Sequence, residues 1–164
     1  MRDFAFHVID QLLNGPVALP RRFPNFPLEV QVNKTRLYLT IIVVFIVANL
    51  TGFFVHGVWL KQDYLPVASM YRPDSEIKIV FIVLGYLAFA IGSVWLYAHG
   101  VEDKPRLGQG LRFGIALWLV LAIPSFFIAY AVQPVPLILM VKQVLSEGVN
   151  KILLGLIIAI LYRR

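Results

Sequence analysis

Between Arg36 and Lys61 the chain runs for 24 residues without a charge, LYLTIIVVFIVANLTGFFVHGVWL, and that stretch narrows the possible folds more than any other feature. As a helix it is about 36 Å long, enough to cross the roughly 30 Å of hydrocarbon in a bilayer. A second uncharged run covers Ile79 to Gly100, with Trp95 and Tyr97 near one end, where interfacial aromatics are expected. A third apolar stretch begins at Phe113 and is too long for one crossing. Pro134 and Pro136 interrupt it, which predicts a span of about 112–132, kinked near Leu121 by Pro124. With 59% hydrophobic and 15% charged residues, the chain departs from the about 45–50% and about 25% of soluble domains. The expected fold is therefore all-α: a membrane-embedded four-helix bundle with spans near 37–60, 79–99, 112–132 and 139–162.

The fourth span differs from the others. Only Ile152 to Tyr162 is continuously apolar, so a full crossing must reach back through Lys151, Asn150, Glu147, Ser146 and Gln143. Lys142, Ser146 and Asn150 repeat every four residues, and Gln143, Glu147 and Lys151 do the same one residue later. All six lie on one stripe of a helix, which must face protein or water. Counting about 1.5 Å per residue brings Asn49 of the first span and Lys151 of the fourth to similar depth near the midplane, with Ser125 of the third close by. Ionisable groups at that depth cost about 2.5–3.5 kcal/mol each and mark a cavity or an interior. These positions predict a polar pocket of Asn49, His56, Ser125, Glu147, Asn150 and Lys151. The bland alternative is that Glu147 and Lys151, four apart in the favourable order, simply neutralise each other.

The first 36 residues form a separate segment. Arg2 to Asn14 places Ala5, Val8, Ile9, Leu12 and Leu13 on one helical face, and Gly15 and Pro16 end it. The four prolines from Pro16 to Pro27 then favour an extended strap. No long apolar core precedes residue 36, so a cleavable signal peptide is not expected. Phe4, Val8 and Leu12 on the amphipathic helix, together with Tyr64 and Tyr71 in the loop after the first span, are the candidate contacts for a partner subunit. Ten basic residues fall on the side of the termini and five on the other, which predicts both termini in the cytoplasm. Their clustering beside apolar runs speaks for lipid headgroups and against nucleic acid.

Chemistry-bearing motifs are scarce. The chain contains no cysteine, and no HExxH, GxGxxG, phosphate-binding loop or GxSxG, so no catalytic residue and no metal site is assigned. His56 and His99 lie at opposite ends of an antiparallel hairpin and cannot share an axial-ligand pair. A single-histidine haem or chlorophyll ligand at His56 is weaker than an ordinary hydrogen bond there, and no cofactor is expected. Small residues recur four apart at Gly110/Gly114, Ala88/Gly92 and Gly155/Ala159, a spacing that lets helices approach closely. The GQGLRFG stretch reads as a loop entering the third span.

The phrases Val55-His56-Gly57 before Asp63-Tyr64, Glu102-Asp103-Lys104-Pro105, Arg112-Phe113-Gly114 and Gln133-Pro134 resemble those of a group of small, functionally unassigned bacterial integral membrane proteins with four helices. The resemblance runs from Leu37 to Tyr162 and implies a four-crossing protein of the bacterial inner membrane, without an activity. Two functions follow from the residues. One is a non-catalytic accessory subunit of a larger, energy-transducing membrane assembly, held by residues 1–36 and the loop after the first span. The other is a small carrier or binder of a lipid or small molecule, using the polar pocket.

Overall fold

A computed structural model describes residues 32–162. The expected amphipathic helix and strap, with Phe4, Val8 and Leu12, fall outside the described residues, as do Arg163 and Arg164. Among the described residues there is no strand, and four helices are long and apolar enough to cross a membrane: α1 (Lys34–Trp59), α2 (Ile79–Gly100), α3 (Arg106–Val132) and α4 (Leu137–Leu161). Asn33 starts α1 by accepting a hydrogen bond from the Arg36 amide at 3.1 Å, satisfying one free donor of the first turn. Proline sits immediately before α3 and α4, at Pro105 and Pro136, where its missing N–H costs no helical hydrogen bond.

α3 begins six residues before its expected start at 112. The GQGLRFG stretch expected as a loop is helical, because α4 packs directly on it. A Cβ on Gly114 would stand 2.6 Å from the Ile152 Cα, and one on Gly155 would stand 2.5 Å from the Gly110 carbonyl oxygen. The two backbones are therefore in contact, and Gly110, Gly114 and Gly155 are the residues that permit it. Of the three small-residue pairs, this seam uses Gly110/Gly114 against Gly155/Ala159. Gly92 meets nothing.

α1, α2 and α4 share a second interior. Val44 and Ala48, Ala90 and Val94, and Leu154 and Ile158 are all buried there, and Tyr97 and Tyr162 close it near the 101–105 connector. Tyr97 is thus a core residue, not an interfacial one as expected, since its ring stacks edge-on against Phe113 and Tyr162. Trp95, two residues earlier on the opposite side of the helix, stays exposed. The connector itself is held by Gln109. Its Oε1 accepts from the Glu102 amide at 2.9 Å, and its Nε2 donates to the Glu102 and Lys104 carbonyls at 2.7 and 2.9 Å.

Two helices widen to π-turns, at Phe53–Trp59 of α1 and Trp118–Ala122 of α3. The second lies where Pro124 removes a backbone donor, which is the physical basis of the kink expected near Leu121. After α1 the chain folds over the adjoining end of α4. Leu60 and Val67 pack with Val135 and Leu139, and Asp63 pairs with Lys142 at 2.6 Å.

The backbone contact between α3 and α4 makes a sharp prediction. Gly155→Leu is expected to cost about 3 kcal/mol through overpacking, whereas Gly92→Leu on open α2 surface should not destabilise. Thermal unfolding of the two variants in mild detergent checks this, and equal melting temperatures would contradict the seam.

Candidate functional site

The polar stripe of α4 is buried. Gln143, Ser146, Glu147, Asn150 and Lys151 are all at most 9% exposed, and Lys142 alone reaches the edge, where Asp63 meets it. Burial of a lysine and a glutamate is costly unless each has a partner. Lys151 Nζ donates to Glu147 Oε2, one turn away, and also sits 5.0 Å above the Phe89 ring. The other carboxylate oxygen, Oε1, lies 3.5 Å from His56 Nε2 on the π-turn of α1.

From His56 the network continues to the loop. His56 Nδ1 lies 2.7 Å from the Tyr64 hydroxyl, which also accepts from Gln143 Nε2 at 2.9 Å. Because the Gln143 amide donates to the Tyr64 oxygen, the Tyr64 O–H is free to donate to Nδ1, which leaves the imidazole proton on Nε2, facing Glu147. Burial pushes the Tyr64 phenol up from its ordinary value, so it remains a neutral donor. Chain order around the cluster is thus Gln143, Tyr64, His56, Glu147, Lys151, with Thr51 adding a hydrogen bond to Asn150 Oδ1 at 2.8 Å.

Glu147 and Lys151 also form the floor of a cleft of about 440 Å³. Phe81, Gly85, Tyr86 and Phe89 of α2 line one side, and Leu121, Ala122, Ser125 and Phe126 of α3 line the other. The two helices touch through Tyr97 and Phe113 at the connector end, with ring centroids 5.2 Å apart. Toward the other end their side chains stand apart as walls. Gly85 meets nothing within 4 Å, so the cleft there is open. Gly52 of α1 makes the room that the Tyr86 hydroxyl occupies, for a Cβ at that position would overlap it.

The six residues expected to form a pocket are only partly brought together. His56, Glu147 and Lys151 meet, and Asn150 lies beside them through Thr51. Asn49 does not take part, since its amide donates back to the Phe45 carbonyl at 2.8 Å, one turn up its own helix. Ser125 lines the cleft, but its hydroxyl is spent on the Leu121 carbonyl at 2.5 Å. Tyr64, expected as a partner contact, turns its hydroxyl inward to the cluster, while Tyr71 packs edge-on behind it and stays 47% exposed. Thr51, Gln143, Tyr86 and Phe89 were not among the expected pocket residues. Gln143 alone carried a signal, its place on the α4 stripe.

No group of three or more histidine, aspartate or glutamate side chains that could hold a metal ion occurs among the described residues. Both ring nitrogens of His56 face protein groups. Comparison of the chain with protein families, with curated proteins and with solved structures finds no match.

Removing one member of a buried pair leaves the other uncompensated. Lys151→Met is expected to destabilise by about 3–5 kcal/mol, and the double variant Glu147→Gln with Lys151→Met to recover most of it. Unfolding midpoints of the single and double variants check this; additive losses would mean that the two side chains are not coupled.

Proposed function

We propose that this chain is an integral membrane protein of four crossings, with both termini on the cytoplasmic side of a bacterial inner membrane, which binds one amphipathic molecule drawn sideways from the bilayer. Four helices long and apolar enough to cross a bilayer support the first part. Their outward faces support it too: Phe81, Val120 and Val149 are each at least 70% exposed, as residues covered by acyl chains are. The excess of basic residues on the side of the termini supports the orientation.

The observation that carries the binding function is the combination of an apolar cleft with a buried ion pair at its floor. A cavity of about 440 Å³ is within the about 300–1,000 Å³ of small-molecule sites, and such sites join mostly apolar walls to a few convergent polar groups. Here the aromatic walls suit a hydrocarbon chain, and Glu147 and Lys151 suit a polar head. The opening between α2 and α3 faces the side of the helices, the direction from which a bilayer component arrives. A charged pair placed at membrane depth beside such a cleft is the usual mark of a substrate or ion site.

Gly85 provides a clean test, because it lines the cleft and a Cβ added there meets no atom within 4 Å. Gly85→Trp is expected to abolish binding of a fluorescent long-chain alcohol to the protein in nanodiscs while leaving the melting temperature equal or slightly higher, since glycine within a helix is unfavourable by about 1 kcal/mol. Undiminished binding by a folded Gly85→Trp variant would refute the cleft as the site.

The second reading, an accessory subunit of a larger membrane assembly, is favoured by the amphipathic pattern of residues 2–14. It predicts that Val8→Asp with Leu12→Asp releases a heteromeric partner otherwise retained on mild detergent extraction. Co-purification unchanged by those charges would count against it.

A further inference from the structure

The proposed cleft site carries a charge balance that restricts what it can hold. Glu147 and Lys151 neutralise each other, and both line the cleft. His56 does not line the cleft; it meets Glu147 and connects it to the loop through Tyr64. Among the described residues the titratable and charged groups around His56 are Glu147 and Lys151 of α4 and Tyr64 of the loop. Tyr86 of α2 lies in the cleft wall, and α3 contributes no charged side chain to the cleft. Asp63 and Lys142 beyond Tyr64 pair with each other and add no net charge.

Resting on the binding function proposed above, we infer that the ligand is a long-chain molecule with a single negative charge, and that its entry is accompanied by uptake of one proton at His56. Among the described residues Lys151 is the only cation lining the cleft, and its ammonium has three donors, one of which Glu147 occupies. An anionic head arriving along the aromatic walls meets Lys151 and takes one of those donors. The site then holds two negative groups, the ligand and Glu147, against one lysine, in surroundings of low dielectric where an unbalanced charge is strongly disfavoured. Imidazole is the side chain whose charge changes near neutral pH, and His56 is already within 3.5 Å of the Glu147 oxygen that Lys151 does not hold.

Protonation at Nδ1 converts His56 to an imidazolium whose Nε2–H faces Glu147, and the total returns to zero. The hydrogen-bond order gives the proton its route. Nδ1 faces Tyr64 in the loop, so the proton arrives from the loop side while the ligand arrives from the cleft. The Tyr64 oxygen, which already accepts from Gln143, then accepts from Nδ1–H as well, and its own hydroxyl hydrogen turns away. A cationic ligand would compete with Lys151 for Glu147 and leave the lysine without its carboxylate partner.

Three fluorescent probes with the same chain and fixed charge separate the possibilities: a sulfonate, an alcohol and a quaternary ammonium, each titrated into protein in zwitterionic nanodiscs between pH 5.5 and 8.5. The sulfonate is expected to bind more tightly than the alcohol at low pH and to weaken by up to about tenfold per pH unit as the pH rises, as coupling to one proton requires. The alcohol should show no pH dependence, and the ammonium should bind worst. His56→Gln should flatten the sulfonate profile. Lys151→Met combined with Glu147→Gln, which removes both charges together, should erase the preference for sulfonate. Displacement of the sulfonate by oleate would identify a free long-chain acid as the source of the anion, and displacement by phosphatidylglycerol a lipid headgroup. A flat sulfonate profile in the unmodified protein, or a preference for the ammonium, overturns the inference while alcohol binding keeps the cleft site. Failure of all three probes overturns the cleft site as well.

Discussion

Glu147 and Lys151 are 7% and 9% exposed on the same face of α4, and two opposite charges so placed have to be covered by groups that answer them. Their own pairing takes care of one oxygen of the carboxylate and one donor of the lysine. The remainder falls to neighbours: His56 for the second oxygen, and the Phe89 ring for the face of the ammonium. That requirement reaches outward through the structure. It draws the π-turn of α1 over one flank of α4 and α2 over another, and it fixes the loop after α1, whose Tyr64 holds the imidazole from behind. Single surface ion pairs contribute little, but a buried pair is strongly destabilising once broken, and so it constrains arrangement more than it adds stability.

The adjoining strip of α4, where Gly155 follows Lys151 by one turn, works by a different rule. There no polar group calls for an answer, and the contact with α3 rests on the absence of side chains at Gly110, Gly114 and Gly155. Close van der Waals contact between the two backbones supplies the attraction there. The seam holds α3 by the half nearest the 101–105 connector. Past this half come Trp118, whose indole donates to the Val144 carbonyl at 2.8 Å, and then the widened turn that leads to Pro124. The cleft lies where α2 follows one flank of α4 and α3, after this turn, follows the other.

Much of this was open to inspection in the amino-acid order. Uncharged runs and prolines located the helices, because crossing length and backbone donors are properties of consecutive residues. The four-residue repeat placed Gln143, Glu147 and Lys151 on one face, and the Gly155/Ala159 spacing marked a surface of close approach. Mistaken expectations share a cause. Asn49 was placed in the pocket by depth, yet the Phe45 carbonyl one turn away is a nearer acceptor than anything across the interior. Glycines in GQGLRFG suggested a loop by propensity, and a tertiary contact overrode it. Tyr97 matched the profile of an interfacial aromatic, but its ring is taken up by Phe113 and Tyr162.

Composition and periodicity alone therefore determined that the chain is helical, how many helices are apolar enough to span a bilayer, and that one of them carries a polar face needing cover. Which groups supply that cover was settled only in three dimensions. Thr51 reaches Asn150 across 99 residues of chain and Gln143 reaches Tyr64 across 79, and no local pattern encodes such pairs. Hydrophobicity and helical phase accumulate residue by residue along the backbone. The choice of a partner for a buried charge depends instead on which turn of which helix arrives beside it, and that is a property of packing.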